Sequence, residues 1–296
     1  MKSEKKIFIA FVLNFAFSVF EFFGGIFTGS VAIISDSLHD LGDAASIGIS
    51  YFFEKKSKKH HDEKYTYGYG RFSVLGSVIT TLILLLGSVA VVINAINRIV
   101  NPTEINYDGM IIFAIFGVIV NFAAAVFTHG GNSLNQKAVN LHMLEDVLGW
   151  IIVLLGATVM KFTDISIIDP LMSIGVAIFI IVNAGKNLSE AINVFLEKIP
   201  ADVAIEEIIN HITSIDGVID VHHIHIWSID GVNNSATMHI VASGDFHKIK
   251  EEVREELFEH GISHATIEIE AENEHCHNKD CCIDAQKTHC HHHHHH

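Results

Sequence analysis

An all-α membrane bundle of six helices, followed by a C-terminal α+β domain, is the fold class this sequence predicts. Three observations predict it. The 296 residues are 49% hydrophobic with mean hydropathy +0.36, too apolar for an ordinary water-soluble chain. Six apolar stretches, 7–27, 31–53, 72–96, 110–127, 141–160 and 167–184, each come near the ~20 residues that a helix needs to cross a bilayer. From Pro200 to Glu274 the composition turns acidic, with 16 Asp and Glu against Lys248, Lys250 and Arg254.

The third and fourth stretches are the cleanest spans: no charge falls between Arg71 and Arg98 or between Asp108 and His129. The first, behind Lys2, Lys5 and Lys6, has the charge pattern of a signal peptide. It continues through Glu21 and Gly24-Gly25 without a small-residue cleavage site, and reads as an uncleaved span. Basic residues crowd the N-terminus and the 54–64 loop, whereas 101–108 carries two acids and no base. That alternation predicts both termini in the cytoplasm. The loops are short, which favours a prokaryotic cytoplasmic (inner) membrane.

The domain organisation read from these shifts is a six-span transmembrane domain over 1–199, a cytoplasmic domain over 200–271 and a Cys/His tail over 272–290. His291–His296 reads as a purification tag. In the cytoplasmic domain, 202–214 has helical periodicity, with Ile205, Ile208, Ile209 and Ile212 on one side. Residues 218–229 and 236–242 alternate like strands around an Asp230-Gly231 and Asn233-Asn234 turn. Residues 245–260 form an amphipathic helix and 266–269 a short last strand. The order αββαβ predicts a small two-layer α/β domain with helices on one sheet face. Its acidic excess disfavours nucleic acid and favours cations.

Two strings carry the chemistry. His39-Asp40-Leu41-Gly42-Asp43 and His142-Met143-Leu144-Glu145-Asp146 each set a His and an Asp four residues apart within an apolar stretch. On a helix, i and i+4 share a face. Ionisable groups at membrane depth are costly and mark pathways or partners. Two imidazoles and two carboxylates make a tetrahedral nitrogen/oxygen set suited to zinc. Asp36 and Asp40 also stand four apart, so spacing alone does not choose between that pair and His39/Asp43. No phosphate-binding loop, dinucleotide turn, nucleophile elbow or His-Glu-x-x-His string is present. The chain therefore reads as neither ATP-driven nor an enzyme.

The chain resembles the cation diffusion facilitator family, in its zinc-transporter branch. The residues that carry the resemblance are Glu21-Phe-Phe-Gly-Gly, the 29–39 run Gly-Ser-Val-Ala-Ile-Ile-Ser-Asp-Ser-Leu-His, Tyr65-Thr-Tyr-Gly-Tyr-Gly-Arg71, Leu141-His-Met-Leu-Glu-Asp146, Asp169-Pro170 and Val221-His-His-Ile-His-Ile-Trp227. The resemblance covers 7–270. It implies a homodimer, joined through the cytoplasmic domain and the membrane helices, that exports divalent metal in exchange for protons and carries a ferredoxin-like cytoplasmic domain of metallochaperone type. It selects His39, Asp43, His142 and Asp146 as the transport site.

Asp40 and Glu145 depart from the family pattern. Added oxygen ligands would favour harder ions such as Mn2+ or Fe2+ over Zn2+, Cd2+ or Co2+. In the cytoplasmic domain the resemblance points to His222, His239 and His264 as metal ligands, with Glu270 as a carboxylate partner. Strict strand alternation sets His223 and His225 on the face opposite His222. The tail adds Cys281 and Cys282 as soft-metal ligands, and His60, His61 and Asp62 form a candidate peripheral cation site. The competing reading is a membrane metal sensor without flux.

Overall fold

The structure, a computed structural model, describes residues 3–28, 31–101, 107–130, 133–163, 167–272 and 274. Within these, the side chains of 24–28, 31–39, 94, 107–110, 160, 168, 169, 172, 173 and 176 are not described. The chain falls into two units: one of six long helices, and one from Glu197 onward that carries a sheet.

The helices of the first unit are α1 Ser3–Thr28, α2 Val31–Ser57, α3 Arg71–Val100, α4 Tyr107–Thr128, α5 Leu134–Thr163 and α6 Ile168–Phe195. α1 packs on α2 and α4, α3 on α2, α5 and α6, and α5 also on α4 and α6. Their amphipathicity is inverted relative to a water-soluble bundle. On α1 Asn14, Ser18 and Glu21 are buried beside Ile7, Ala10 and Phe17, while Phe8, Val12, Phe15 and Phe20 face outward. On α3 Ser77, Thr80, Thr81 and Ser88 are buried, while Leu86 and Ile93 are exposed. A bundle that turns its large apolar side chains outward and its small polar ones inward is built for lipid, where small residues allow close helix packing. The chain is an integral membrane protein.

Six spans are expected from the sequence. By length and apolar composition alone, stretches of four of the described helices, α1, α3, α4 and α5, qualify. α2 carries Asp36, His39, Asp40 and Asp43 in its first half, which lowers its hydropathy. Trp150 of α5 packs flat against Gly117 of α4, where a Cβ would overlap the indole. That is the close helix approach that glycine permits in a membrane.

The second unit runs α7 Ile205–Thr213, β1 Val218–Ser228, β2 Asn234–Ala242, α8 Phe246–Glu259 and β3 Ile262–Glu270, the predicted αββαβ order. The sheet order is β1-β2-β3, with β1 antiparallel to β2 and β2 parallel to β3. A parallel neighbour requires a crossover, and α8 supplies it. Asp245 caps α8 by accepting from the backbone N of His247 and Lys248. Ile208 and Ile212 of α7 and Ile249, Val253 and Leu257 of α8 form one core with Ala236, Met238 and Ile240 of β2. Helices therefore cover one sheet face. The other face keeps the alternate residues of β2, among them His239.

Two strand expectations are corrected. β3 begins at Ile262 rather than 266, because pairing with β2 from Asn234 onward holds Ser263, His264 and Ala265 in the ladder. β1 does not alternate strictly. Between His222, opposite His239, and His225, opposite Thr237, the register shifts, and His223 adopts φ +51°. This bulge inserts a residue and re-aims those that follow. His222 and His225 thus share the face of His239 and Thr237, not opposite faces.

Candidate metal sites

The first candidate site lies within the helical unit. Asp43 comes from α2, and His142 and Asp146 come from adjacent turns of α5; one ligand atom from each lies within 4.8 Å of the others. His142 is 3% exposed, and its Nε2 stands 3.7 Å from Asp43 Oδ1. In a tetrahedral shell with zinc–nitrogen bonds of about 2.0–2.1 Å, neighbouring ligand atoms are about 3.3 Å apart. The observed gap needs only a small closure. His39 sits on α2 one turn before Asp43, but its side chain lies outside the described residues.

These residues border a cavity of ≈ 250 Å³ that also receives Asp40, Glu145 and Trp150. Glu145, read from the sequence as able to reach the His142 face, does so: Oε2 is 3.9 Å from His142 Nδ1, and Oε1 accepts from Ser88 Oγ of α3 at 2.9 Å. Asn14 of α1 donates from Nδ2 to Asp146 Oδ2 at 3.3 Å. From the sequence alone Asn14 reads as a packing or water-lining amide of the first span, and its role beside Asp146 emerges only from the packing of α1 on α5. A His and four carboxylates around one cavity, enclosed by apolar helices, can bind a divalent cation and exchange it against protons.

The second candidate site lies on the uncovered sheet face of the other unit. His222 of β1, His239 of β2 and Glu270 of β3 converge. His239 Nδ1 is 2.7 Å from Glu270 Oε1, and His222 Nε2 is 3.4 Å from Glu270 Oε2. The β1 bulge adds His223, whose ring stacks on His239 at 4.7 Å between centroids. His264 is not brought to this cluster. It is exposed and pairs with Ser235, four residues before His239, which sets it about 13 Å away along the strand. Cys281 and Cys282 lie outside the described residues.

Among the described residues, the candidate set His60, His61 and Asp62 is not among the groups whose ligand atoms converge. Asp62 accepts from Lys59 Nζ at 2.9 Å, from Tyr69 Oη at 2.7 Å and from the backbone N of Lys64 and Tyr65. Its carboxylate is engaged within the loop.

A further polar cluster was not foreseen. The buried Glu54 of α2 accepts from Ser73 of α3 at 2.8 Å and from Ser133, just before α5, at 2.9 Å, and pairs with Lys58 Nζ at 2.9 Å. Asn135 of α5 donates to the Ser50 carbonyl at 2.8 Å and accepts from its hydroxyl at 2.6 Å. This clasp ties α2, α3 and α5 together at the ends beside the basic loop.

The family model described as the cation efflux transmembrane domain matches residues 7–196, and that of the cation efflux protein cytoplasmic domain matches 200–272. The chain is 30% identical over 305 residues to the cadmium, cobalt and zinc/H(+)-K(+) antiporter of Bacillus subtilis (strain 168), covering 98% of this chain and 97% of the relative. It is 32% identical over 302 residues to zinc transporter ZitB of Yersinia pseudotuberculosis, covering 99% and 96%. It is 30% identical over 274 residues to metal cation efflux system protein CzcD of Cupriavidus metallidurans, covering 90% and 87%.

Proposed function

The chain belongs to the cation efflux family, the cation diffusion facilitators, and from that premise we propose that it exports divalent metal, zinc foremost, by exchange for protons. It is a transporter and not an enzyme. Cadmium and cobalt, named for the Bacillus relative, are further substrates of this reading. The observation that carries it is the convergence of Asp43, His142 and Asp146 on a cavity between lipid-facing helices.

His39 completes the ligand set by its place one turn before Asp43. Binding requires neutral imidazoles and ionised carboxylates, so metal and protons compete for the same atoms. Metal loads from the cytoplasm, protons entering from the far side displace it, and the protonated site returns. Asn14 and Ser88 orient Asp146 and Glu145 during loading. Loss of such an outer partner typically costs about 10–100-fold in metal affinity.

The finer assignments belong to the same proposal. The chain works as a homodimer through its cytoplasmic domain and membrane helices, in a prokaryotic inner membrane, with both termini inside. The basic 54–64 loop supports that orientation. His222, His239 and Glu270 take metal from the cytoplasm.

Metal flux into proteoliposomes loaded with a pH-sensitive dye tests the reading. Zinc uptake coupled to proton release, abolished in Asp146→Ala while the protein remains folded, is the expected result. Folded protein that moves no metal of the series zinc, cadmium, cobalt, manganese and iron(II) overturns it and leaves a sensor.

A further inference from the structure

The helix layer of the C-terminal unit holds a third convergence of metal-binding groups, apart from both sites above. His211 lies in the last turn of α7, and Glu256 and His260 stand one turn apart at the C-terminal end of α8. His211 Nδ1 is 2.7 Å from Glu256 Oε1 and 3.1 Å from His260 Nε2, and His260 Nε2 is 3.2 Å from Glu256 Oε1. The three donor atoms form a triangle with edges close to the roughly 3.3 Å spacing of a tetrahedral zinc shell.

Protons serve this triangle poorly. Each ring nitrogen carries at most one hydrogen, held in the ring plane. His211 Nδ1–H cannot point along the lines to Glu256 and His260 together, so one of the close contacts is left without a well-aligned hydrogen. A divalent cation near the centre would satisfy three lone pairs at once. The fold fixes the spacing: Glu256 and His260 share a face at i and i+4, and Ile208, Ile212, Val253 and Leu257 lock α7 to α8 beneath them. Both histidines lie where helix carbonyls point outward, and that end of a helix favours a cation. The His211 side chain is 49% exposed, which leaves a path for metal and a place for a water ligand.

We propose that His211, Glu256 and His260 form a binding site for a late first-row divalent cation of the zinc, cobalt(II) and nickel(II) class. The fourth position is taken by water. The site clips the C-terminal ends of α7 and α8 together on the helix-covered side of the domain. That side is opposite the face that carries His222, His239 and Glu270, so the domain takes up metal on both faces. The inference does not rest on the transport reading.

Zinc bound per chain, measured by equilibrium dialysis of the full-length protein in detergent against a competing chelator, tests it. The wild type is compared with His211→Ala/His260→Ala and with Glu256→Gln; contributions from the tail and the terminal histidines are common to all and cancel in the difference. The double variant is expected to hold about one zinc fewer per chain. Cobalt(II) is expected to give a visible absorption band that the variant lacks. Because the residues lie on the surface, the metal-free circular dichroism spectrum should be unchanged, which separates loss of a site from loss of fold. Equal zinc stoichiometry and equal cobalt spectra in wild type and variant overturn the proposal.

Discussion

Asn14 on α1 donates to Asp146 Oδ2 on α5 at 3.3 Å, so α1 orients a carboxylate of a site whose described ligands come from α2 and α5. Without that donor Asp146 is free to rotate, and the distance to Asp43 and His142 is no longer fixed. Asn14→Ala is expected to weaken zinc binding about 10–100-fold, the range typical for loss of an outer-shell partner. The helical fold should be retained, because the change only removes bulk from α1 and the Asp146 acceptor left without this donor costs about 1–3 kcal/mol. Dialysis against buffered zinc measures it; affinity equal to wild type would show that Asp146 is held by other means.

The Glu54 clasp is a stability element rather than a ligand set. Replacing Ser133 with Ala removes a hydroxyl that donates to Glu54 and approaches Ser73 Oγ at 2.9 Å. A buried acceptor that loses one of its donors typically costs about 1–3 kcal/mol. Thermal unfolding in detergent should move down accordingly, while zinc affinity stays at the wild-type value. A fall in affinity without a fall in unfolding temperature would contradict the assignment.

The elements that lipid and periodicity dictate were legible in the sequence. Long apolar runs marked the helices, and of the two His-x-x-x-Asp strings Asp43, His142 and Asp146 line one cavity, the His39 side chain lying outside the described residues. What periodicity could not express is local departure from a repeat. The positive φ of His223 breaks the two-residue alternation of β1 and carries His225 onto the face of His222; no turn residue marks the spot. The length of β3 was hidden because Ser263, His264 and Ala265 have weak strand preference and are held by parallel pairing with distant β2. The clasp and the His211 cluster were equally hidden. Both depend on contacts between residues 19 to 85 positions apart, and only the tertiary packing sets those.

Gly117 and Trp150 test the close approach of α4 and α5. A Cβ at residue 117 would fall within the indole, and the ring is also held edge-on by Phe17 at 5.5 Å. Gly117→Ala is expected to cost about 1–3 kcal/mol through overpacking, read as a lower unfolding temperature. Adding Trp150→Leu to the same chain should recover part of the loss. Additive destabilisation by the two changes would rule out this contact as the cause.

The Lys59–Asp62–Tyr69 loop has a defined pH window. Hydrogen bonds from Lys59, then Tyr69, hold the Asp62 carboxyl well below its usual range. Hydrogen bonds to Tyr69, then Asp62, push the Lys59 ammonium up to about 12. A depressed carboxyl contributes order above its unfolded value near pH 4 and loses it as pH falls through the lower folded value. A raised ammonium contributes below its unfolded value near 10.4 and loses it as pH rises through the folded one. The loop should therefore hold its shape from about pH 4 to about pH 10. Amide exchange at Lys64 and Tyr65, whose backbone N–H groups donate to Asp62, reports it. Asp62→Asn should speed that exchange across the whole window, and protection unchanged by the substitution would mean that the carboxylate does not order the loop.

The acids beside the His142 site give the sharpest test of selectivity. Glu145 lies 3.9 Å from His142 Nδ1, and Asp40 lines the same cavity. Carboxylate oxygens favour manganese and iron(II), whereas an imidazole-rich shell favours zinc. Glu145→Gln keeps the shape and an acceptor for Ser88 but removes a charge, and Asp40→Asn does the same on α2. Combined, the two changes are expected to lower manganese and iron(II) flux relative to zinc by about tenfold, a difference of ~1.4 kcal/mol between the ions. Competition between zinc and manganese in one proteoliposome assay measures the ratio directly. If both ions slow equally, the two acids serve proton exchange or electrostatic attraction and not the choice of metal.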